Sequence, residues 1–496
     1  MKLTLIRPPE YFGTGHPCEF SPPYGLYSLK TYVKDKYISL DIQILDLTNK
    51  RYRGIQLEKV LADNDSDVFG LTGLTGSRFE VVKIARCIKE RCGKSYVVVG
   101  GPHFTYCAKE TLERVADIDI VVCGEGELTI VELLDSISKK EGFEKIKGIT
   151  YRKGSHIVEN EARPAIEDLD TIPINADFDD YEEFLRCYPR HIRAISIISS
   201  RGCPANCVFC AKPMKGYRLR NPKRVIDEIE LYRKKYNIDG FNFLDLTFTA
   251  DAEHVKKICD EIIARKLGIK WWCESRANIS LDLLDLMKRA GCVSMSVGVE
   301  SGSPGILSEI HKGITVEQVL NIAKKCNDIG IFIEFYFMYS LPGETEDDVK
   351  KTLDLIDKVE KYPFSLRSAF QPAMIFPGAK LETIARENGI LPKNFSWYDN
   401  KEYELNKALN QIPNIPLYVD SLSPDTLKKL YSERVFRLAA SVTNKKNFII
   451  FLKWISNNPS ALKRILRYVF SPAFWYKFIK AKMKSSANIK QPQKRY

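Results

Sequence analysis

Short apolar runs that end in turns of small residues recur along most of this 496-residue chain, separated by stretches with helical spacing. This rhythm restricts the fold more than any other feature. Over residues 1–142 the runs are KLTLIRPP, LDIQILDL, VFGLTGLTG, SYVVVGGPH and DIDIVVCGEGE, with GLYSLKTYVKDKY and SRFEVVKIARCIKERCG as helical segments among them. Strands joined by helices lie parallel, because a parallel connection must cross back over the sheet. A second series begins near Ala194: AISIISS, GFNFLDLTFT, IKWWCESR, VSMSVGVESG, FIEFYFMYSLPG and SAFQPAMIFPG, again with helices between. Six strand-helix units suit a complete or partial α/β barrel, whose working face is at the strand C-termini. The expected class is therefore α/β. An N-terminal Rossmann-like open sheet occupies 1–142, a hairpin around Lys153-Gly154 and a linker occupy 143–190, and a partial (β/α)6 TIM-like barrel occupies 191–400. A helical C-terminal region with a basic amphipathic tail fills 401–496.

In open parallel sheets the ligand lies beyond the carboxyl ends of the strands. Here those ends carry Gly73, Gly76, Gly100, Gly101, Gly124 and Gly126, which let backbone approach a large ligand closely. No G-x-G-x-x-G follows the first strand, so an ordinary dinucleotide site is not supported. The formal net charge of +12 suggests a polyanion partner until it is located. Residues 441–496 hold thirteen Lys and Arg and no acidic residue, which leaves about −1 on residues 1–440. The body therefore has no excess charge for nucleic acid, and none is expected as a partner. In the tail, Leu462, Ile465, Leu466, Val469 and Phe470 form one apolar stripe, with Lys463, Arg464 and Arg467 off it. Trp454, Tyr468, Trp475 and Tyr476 add interfacial aromatics, and no run reaches the ~20 apolar residues that span a bilayer. Two readings stay open for the tail: a helical cap on the barrel, or peripheral contact with an anionic leaflet.

Thirteen cysteines in a large chain without a signal-peptide-like start suggest a reducing, cytoplasmic setting, in which most are small buried hydrophobes. Cys203, Cys207 and Cys210 differ, falling within RGCPANCVFC just after the first strand of the second series. Structural zinc usually takes four ligands in two separated pairs, and no second pair is near. A C-x-x-C redox pair would leave Cys203 without a role. Three thiolates on a four-iron cluster leave one iron open to a small molecule.

At these residues the chain resembles the radical SAM superfamily, whose signature is a C-x3-C-x2-C loop after the first barrel strand with an aromatic before the last cysteine; Phe209 matches. The resemblance implies that Cys203, Cys207 and Cys210 hold a [4Fe-4S] cluster and that S-adenosyl-L-methionine (SAM) chelates the open iron. It also implies SAM contacts from Asp245 in FLDLTFT, Phe209, Arg276 in CESR and Glu300 in GVESG. LPGET at 341–345 and FPGAKL at 376–381 match the turns after the fifth and sixth strands, although Tyr339 and Ser340 replace the usual apolar residue and glycine, and bulk at Tyr339 is expected to narrow the adenine pocket or reshape the substrate side. SPPYGLYSLKTYV, GGPHFT and GEGE resemble the cobalamin-binding domain that precedes the barrel in one large subfamily. That resemblance implies a cobalamin rim of Thr72, Thr75, Gly100, Gly101, His103, Gly124, Glu125 and Gly126. D-x-H-x-x-G is absent, so cobalt is expected without a protein imidazole.

The function so implied is a cobalamin-dependent radical SAM C-methyltransferase acting on an unactivated carbon of a small-molecule or lipid-like substrate. A 5′-deoxyadenosyl radical abstracts hydrogen and methylcobalamin delivers the methyl group. No catalytic side chain beyond the cluster ligands is expected, and a reducing partner such as flavodoxin or ferredoxin is. A radical cyclase or oxidoreductase that uses cobalamin without methyl transfer is the alternative within enzymes, and a non-catalytic cobalamin- or SAM-binding sensor is the alternative outside them.

Overall fold

The computed structural model describes residues 1–440 apart from positions within 10–21, 50–54, 62–63 and 176–193 and at 213, 215 and 367. The apolar and aromatic stripe of the tail, and Cys18, lie outside the described residues. One compact unit runs from Met1 to Ser423, and a second begins at Pro424, of which the helix Pro424–Ala440 is described. Residues 401–423, assigned above to the helical C-terminal region, fall in the first unit.

The front sheet contains β1 (Lys2–Arg7), β2 (Asp41–Asp46), β3 (Val68–Thr72), β4 (Tyr96–Gly100) and β5 (Ile120–Val122), all parallel, in the order β2-β1-β3-β4-β5. Leu3, Leu5, Ile6, Val68, Phe69, Val97 and Val99 are buried, as expected for strands covered by helices on both faces. Helix Arg78–Arg91 covers one face with Val81, Ile84 and Ile88. In this order the connections leave β1 and β3 in opposite directions, and the crevice opens where they part. The hairpin around Lys153-Gly154 is not free-standing. Its strands β6 (Ile149–Lys153) and β7 (His156–Glu159) extend the same sheet, with Val122 opposite Ile149 in an antiparallel pair. The short strand β5 would otherwise present an unpaired edge, which the hairpin covers.

The second series forms β8 (Ile195–Ile197), β9 (Gly240–Phe243), β10 (Lys270–Arg276), β11 (Cys292–Glu300), β12 (Phe332–Tyr339) and β13 (Ala369–Pro372), parallel and in sequence order. Its helices start where the sequence places capping residues. Asn221, Asp251 and Ser280 accept backbone hydrogen bonds at three N-termini, and Thr315–Gln318 and Thr345–Asp348 form reciprocal capping boxes at two more. Each strand buries alternate residues against the helices, such as Trp271, Cys273, Val297, Phe335 and Phe337. The remaining face carries Trp272, Glu274, Arg276, Ser294, Ser296, Glu334 and Tyr336, all less covered, and this is the barrel lumen. Tyr339 belongs to the helix-facing set: it is fully buried and stacks on Phe370 at 4.5 Å between ring centroids. Alternation along β12 thus turns its bulk away from the lumen, which corrects the expectation that it narrows the site.

Candidate functional site

The cysteine loop is built by a turn that only glycine allows. After β8, Ser200–Arg201 pairs antiparallel with Arg218–Leu219, placing Arg201 opposite Arg218. Gly202 follows at φ +83°, and a Cβ there would meet the Gly216 carbonyl oxygen at 1.8 Å. The loop is then pinned at Val208. Its N–H donates to the Ile310 carbonyl at 3.2 Å, its carbonyl accepts from Leu381 N–H at 2.7 Å, and its side chain joins a core with Ile306, Ile375 and Leu381.

Around this anchor Cys207 is buried, Cys203 half-buried and Cys210 exposed. Arg276 Nη1 donates to Cys207 Sγ at 3.4 Å, and Cys203 Sγ lies 3.5 Å from Thr247 Oγ1. Lys212 Nζ donates to the Cys203 carbonyl at 3.3 Å and to Asn206 Oδ1 at 3.2 Å. Among the described residues no three His, Cys, Asp or Glu converge on one metal-ion position.

The expected SAM residues divide. Arg276 reaches the cysteine loop, as above. Glu300 ends β11 at φ +74°, an unfavourable backbone for a non-glycine residue that costs on the order of 1–3 kcal/mol. Its Oε1 pairs with Lys312 Nζ at 2.8 Å in a buried contact, and Lys312 Nζ lies 5.6 Å from the Phe209 ring centroid. Glu300, Lys312 and Phe209 thereby connect the end of β11 to the cysteine loop. A Cβ on Gly298 would come within 2.7 Å of Glu300 Oε1, so that glycine leaves room for the ion pair. Asp245 is elsewhere: it is almost fully buried and accepts from Ser199 N–H at 3.1 Å, Ser199 Oγ at 2.9 Å and Ser200 Oγ. Both its oxygens brace the chain leading into the cysteine loop. Sequence reasoning missed Thr247, Lys312 and Arg201. The arginine directly before Gly202-Cys203 was a usable signal, and Lys312 had none.

Glu344 of LPGET shows how burial sets a titration. It is fully buried, accepts from Leu341 N–H at 3.1 Å, and burial pushes its carboxyl up to about 8 from the usual 4.5. The native state therefore holds a proton that the unfolded chain releases. Stability should fall as pH rises from about 4.5 to about 8 and level above, where both states are ionised. We expect the Tm advantage of Glu344→Gln over the wild type to be absent below pH 4.5, to grow across that window and to stay constant beyond it, as read by calorimetry.

At the switch point of the front sheet lies a cavity of about 710 Å³. Thr72, Gly100, Gly101, Gly124, Glu125 and Gly126 line it, as expected, and Leu74 adds an exposed apolar side chain. Gly101 has φ +97°, and a Cβ there would stand 2.8 Å from Thr72 Oγ1. Thr75 and His103 are not in the lining. His103 is fully buried, its Nδ1 lies 3.3 Å from Thr75 Oγ1, and its ring meets Phe104 and Trp397 edge-on. Burial, with Arg78 adding, pushes its pKa down to about 3, so the imidazole is neutral. Among the described residues the lining contains no histidine. Glu125 turns its carboxylate to Arg201 Nη1 and Arg218 Nη1, both at 2.8 Å, and to Ile166 N–H at 2.8 Å. Burial alone would raise that carboxyl, but hydrogen bonds from Arg218 and Arg201 hold it below the usual range.

A doubly wound sheet whose crevice runs onto the cysteine loop of a six-stranded barrel fits the resemblance drawn from the sequence. Sequence comparison agrees: residues 197–356 match the Radical SAM superfamily and residues 19–134 match the B12 binding domain. The chain belongs to the radical SAM superfamily, in the branch that carries a B12-binding domain in front of the barrel. An uncharacterized methyltransferase of Pyrococcus horikoshii is 31% identical over 406 residues, covering 79% of this chain and 84% of that one. The anaerobic magnesium-protoporphyrin IX monomethyl ester cyclase of Rubrivivax gelatinosus is 28% identical over 361 residues, covering 71% of this chain and 65% of the cyclase. The radical S-adenosylmethionine methyltransferase TsrM of Kitasatospora setae, solved with cobalamin and a [4Fe-4S] cluster bound, shares the fold with a TM-score of 0.67 at 22% identity, over 78% of each chain.

Proposed function

We propose that this chain is a cobalamin-dependent radical SAM C-methyltransferase. The observation that carries the proposal is the adjacency of two sites: Arg201 and Gly202, which lead into the three cysteines, also line the 710 Å³ cavity of the front sheet. Both sites fit the groups they would hold. Three cysteines in one loop, one of them accepting from Arg276, suit a [4Fe-4S] cluster with an open iron. A glycine-edged cavity at the switch point of the sheet suits cobalamin. When bound, the cluster supplies the electron that cleaves SAM to a 5′-deoxyadenosyl radical, and cobalamin supplies the methyl group.

The side chains bind and orient. Cys203, Cys207 and Cys210 would hold the cluster; Phe209, Arg276, Glu300 and Lys312 would border SAM; and Thr72, Gly100, Gly101, Gly124 and Gly126 would border the corrin. Asp245, Thr75 and His103 support these sites from behind, and Glu125 does so from the cavity wall. In the lumen, Glu274, Ser296 and Glu334 share one row across β10, β11 and β12, and Tyr336 donates to Ser296 Oγ and Glu334 Oε2 at 3.3 Å. So polar a lumen favours a polar small molecule over a lipid chain as substrate. A reducing partner of the flavodoxin or ferredoxin type, a cytoplasmic setting, and contact of the basic tail with an anionic lipid surface remain parts of the proposal that rest on sequence alone. Among the described residues no helix is long and apolar enough to cross a membrane.

The similarity to a cyclase supports a second reading, in which cobalamin transfers no methyl group. Incubating the reduced, anaerobic protein and its substrate with methyl-deuterated SAM separates the two. We expect a CD3 group in the product; deoxyadenosine release with an unlabelled product would establish the cyclase-type reading instead. A cluster-replete protein that releases no deoxyadenosine would leave only a sensor.

A further inference from the structure

Between the front cavity and the cysteine loop stands a ladder of four charged side chains. Arg201 Nη1 donates to Glu125 Oε1 at 2.8 Å and its Nη2 to Glu127 Oε1 at 2.5 Å, while Arg218 Nη1 donates to Glu125 Oε2 at 2.8 Å. None of the four side chains is more than 12% exposed. Glu127 also accepts from Ser28 Oγ at 2.9 Å, which ties in the helix Tyr24–Lys36. At the centre of the ladder Glu125 and Arg201 both line the cavity, with Gly124 and Gly126 flanking Glu125, and Arg201 is two residues from Cys203.

Most of the expected cavity and cluster residues belong to one side or the other, whereas this ladder touches both. Its two positive and two negative charges need each other: in a low-dielectric joint, removing one partner strands the other. An occupant of the cavity bears on Glu125 and Arg201, which both line it, and the backbone runs from Arg201 through Gly202 to Cys203, so a shift of the ladder is passed to the cysteine loop. The forked guanidinium reaches two carboxylates at once, which the single ammonium of a lysine does not do in the same geometry.

We propose that Arg201 is a positioning residue that couples the occupant of the front cavity to the cluster, through its two-pronged contact with Glu125 and Glu127. This inference rests on the cofactor assignment above and deepens it. Coupling of this kind is reciprocal: whatever cavity filling does to the cluster's reduction, cluster reduction does to cavity affinity.

The test is an EPR-monitored redox titration of the anaerobically reconstituted full-length protein, with and without hydroxocobalamin. In the wild type we expect a coupling of about tenfold, which for one electron is a shift of about 59 mV in the cluster potential. In Arg201→Lys and separately in Glu127→Gln, both cofactors should still bind while the shift shrinks severalfold. Glu127→Gln keeps the arginine in place, so it remains informative if Arg201→Lys fails to fold. A wild-type potential unmoved by cobalamin, or a full shift in both variants, overturns the inference. A wild-type protein that binds neither group overturns the cofactor assignment itself, a distinguishable outcome.

Discussion

Replacing Cys207 by alanine is expected to abolish the cluster and, with it, all deoxyadenosine formation, while leaving the fold in place. Cys207 is the least exposed of the three, at 9%, and its sulfur accepts from the guanidinium of Arg276. Two remaining thiolates cannot hold four irons against solvent, so anaerobically purified protein should lack absorption in the 400 nm region characteristic of iron-sulfur centres. Stability should change far less. The loop is held by Val208, whose two backbone bonds and buried side chain do not involve the cysteines. The cost of leaving Arg276 without an acceptor is about 1–3 kcal/mol. Chemical denaturation followed by circular dichroism checks this half of the prediction. Retention of the four-iron spectrum in Cys207→Ala would falsify the assignment of the trio.

Gly202→Ala should be nearly as damaging without touching a ligand. The added Cβ would lie 1.8 Å from the Gly216 carbonyl oxygen, a backbone atom that cannot rotate away, on a residue at φ +83°. The conformational penalty of about 1–2 kcal/mol and an overpacking cost of about 1–3 kcal/mol fall together on one turn. The local remedy is to separate Ser200–Arg201 from Arg218–Leu219, which moves Cys203 away from Cys207. We expect cluster occupancy, measured as iron per chain, to fall to a small fraction of wild type, with 5′-deoxyadenosine release falling in proportion. Gly154→Ala serves as the control: it also sits at positive φ, but its Cβ would meet nothing within 4 Å, so it should cost stability and spare the cluster. Equal iron content in Gly202→Ala and wild type would show that the turn tolerates opening.

Much of the architecture was legible because its signals are local. Apolar runs ending in turns, with helical spacing between them, located all five front strands and all six barrel strands, since each effect acts over a few neighbouring residues. The cysteine spacing pointed to the cluster for the same reason: three ligands and the glycine that turns into them lie within nine residues. The glycine edges at 100–101 and 124–126 were legible too, because they follow their strands directly.

What depended on distant contacts was not legible. Asp245, Glu125 and His103 are polar residues at strand ends or turns, where ligand contacts are common, yet each is committed to protein partners that only the folded chain brings near. Ser199 and Ser200 take up the first, Arg201 and Arg218 the second, and a buried aromatic pocket with Thr75 the third. Lys312 meets Glu300 across a turn and Phe209 across the barrel mouth, and the sequence places it near neither site. The chain's own text determined its element types, their order and the ligand trio, because propensity, capping and ligand spacing are short-range. The strand order β2-β1-β3-β4-β5, the crevice it opens and the arginine ladder between the two sites were decided by tertiary structure, because burying a charge requires a partner and the partner lies some 75 residues away along the chain.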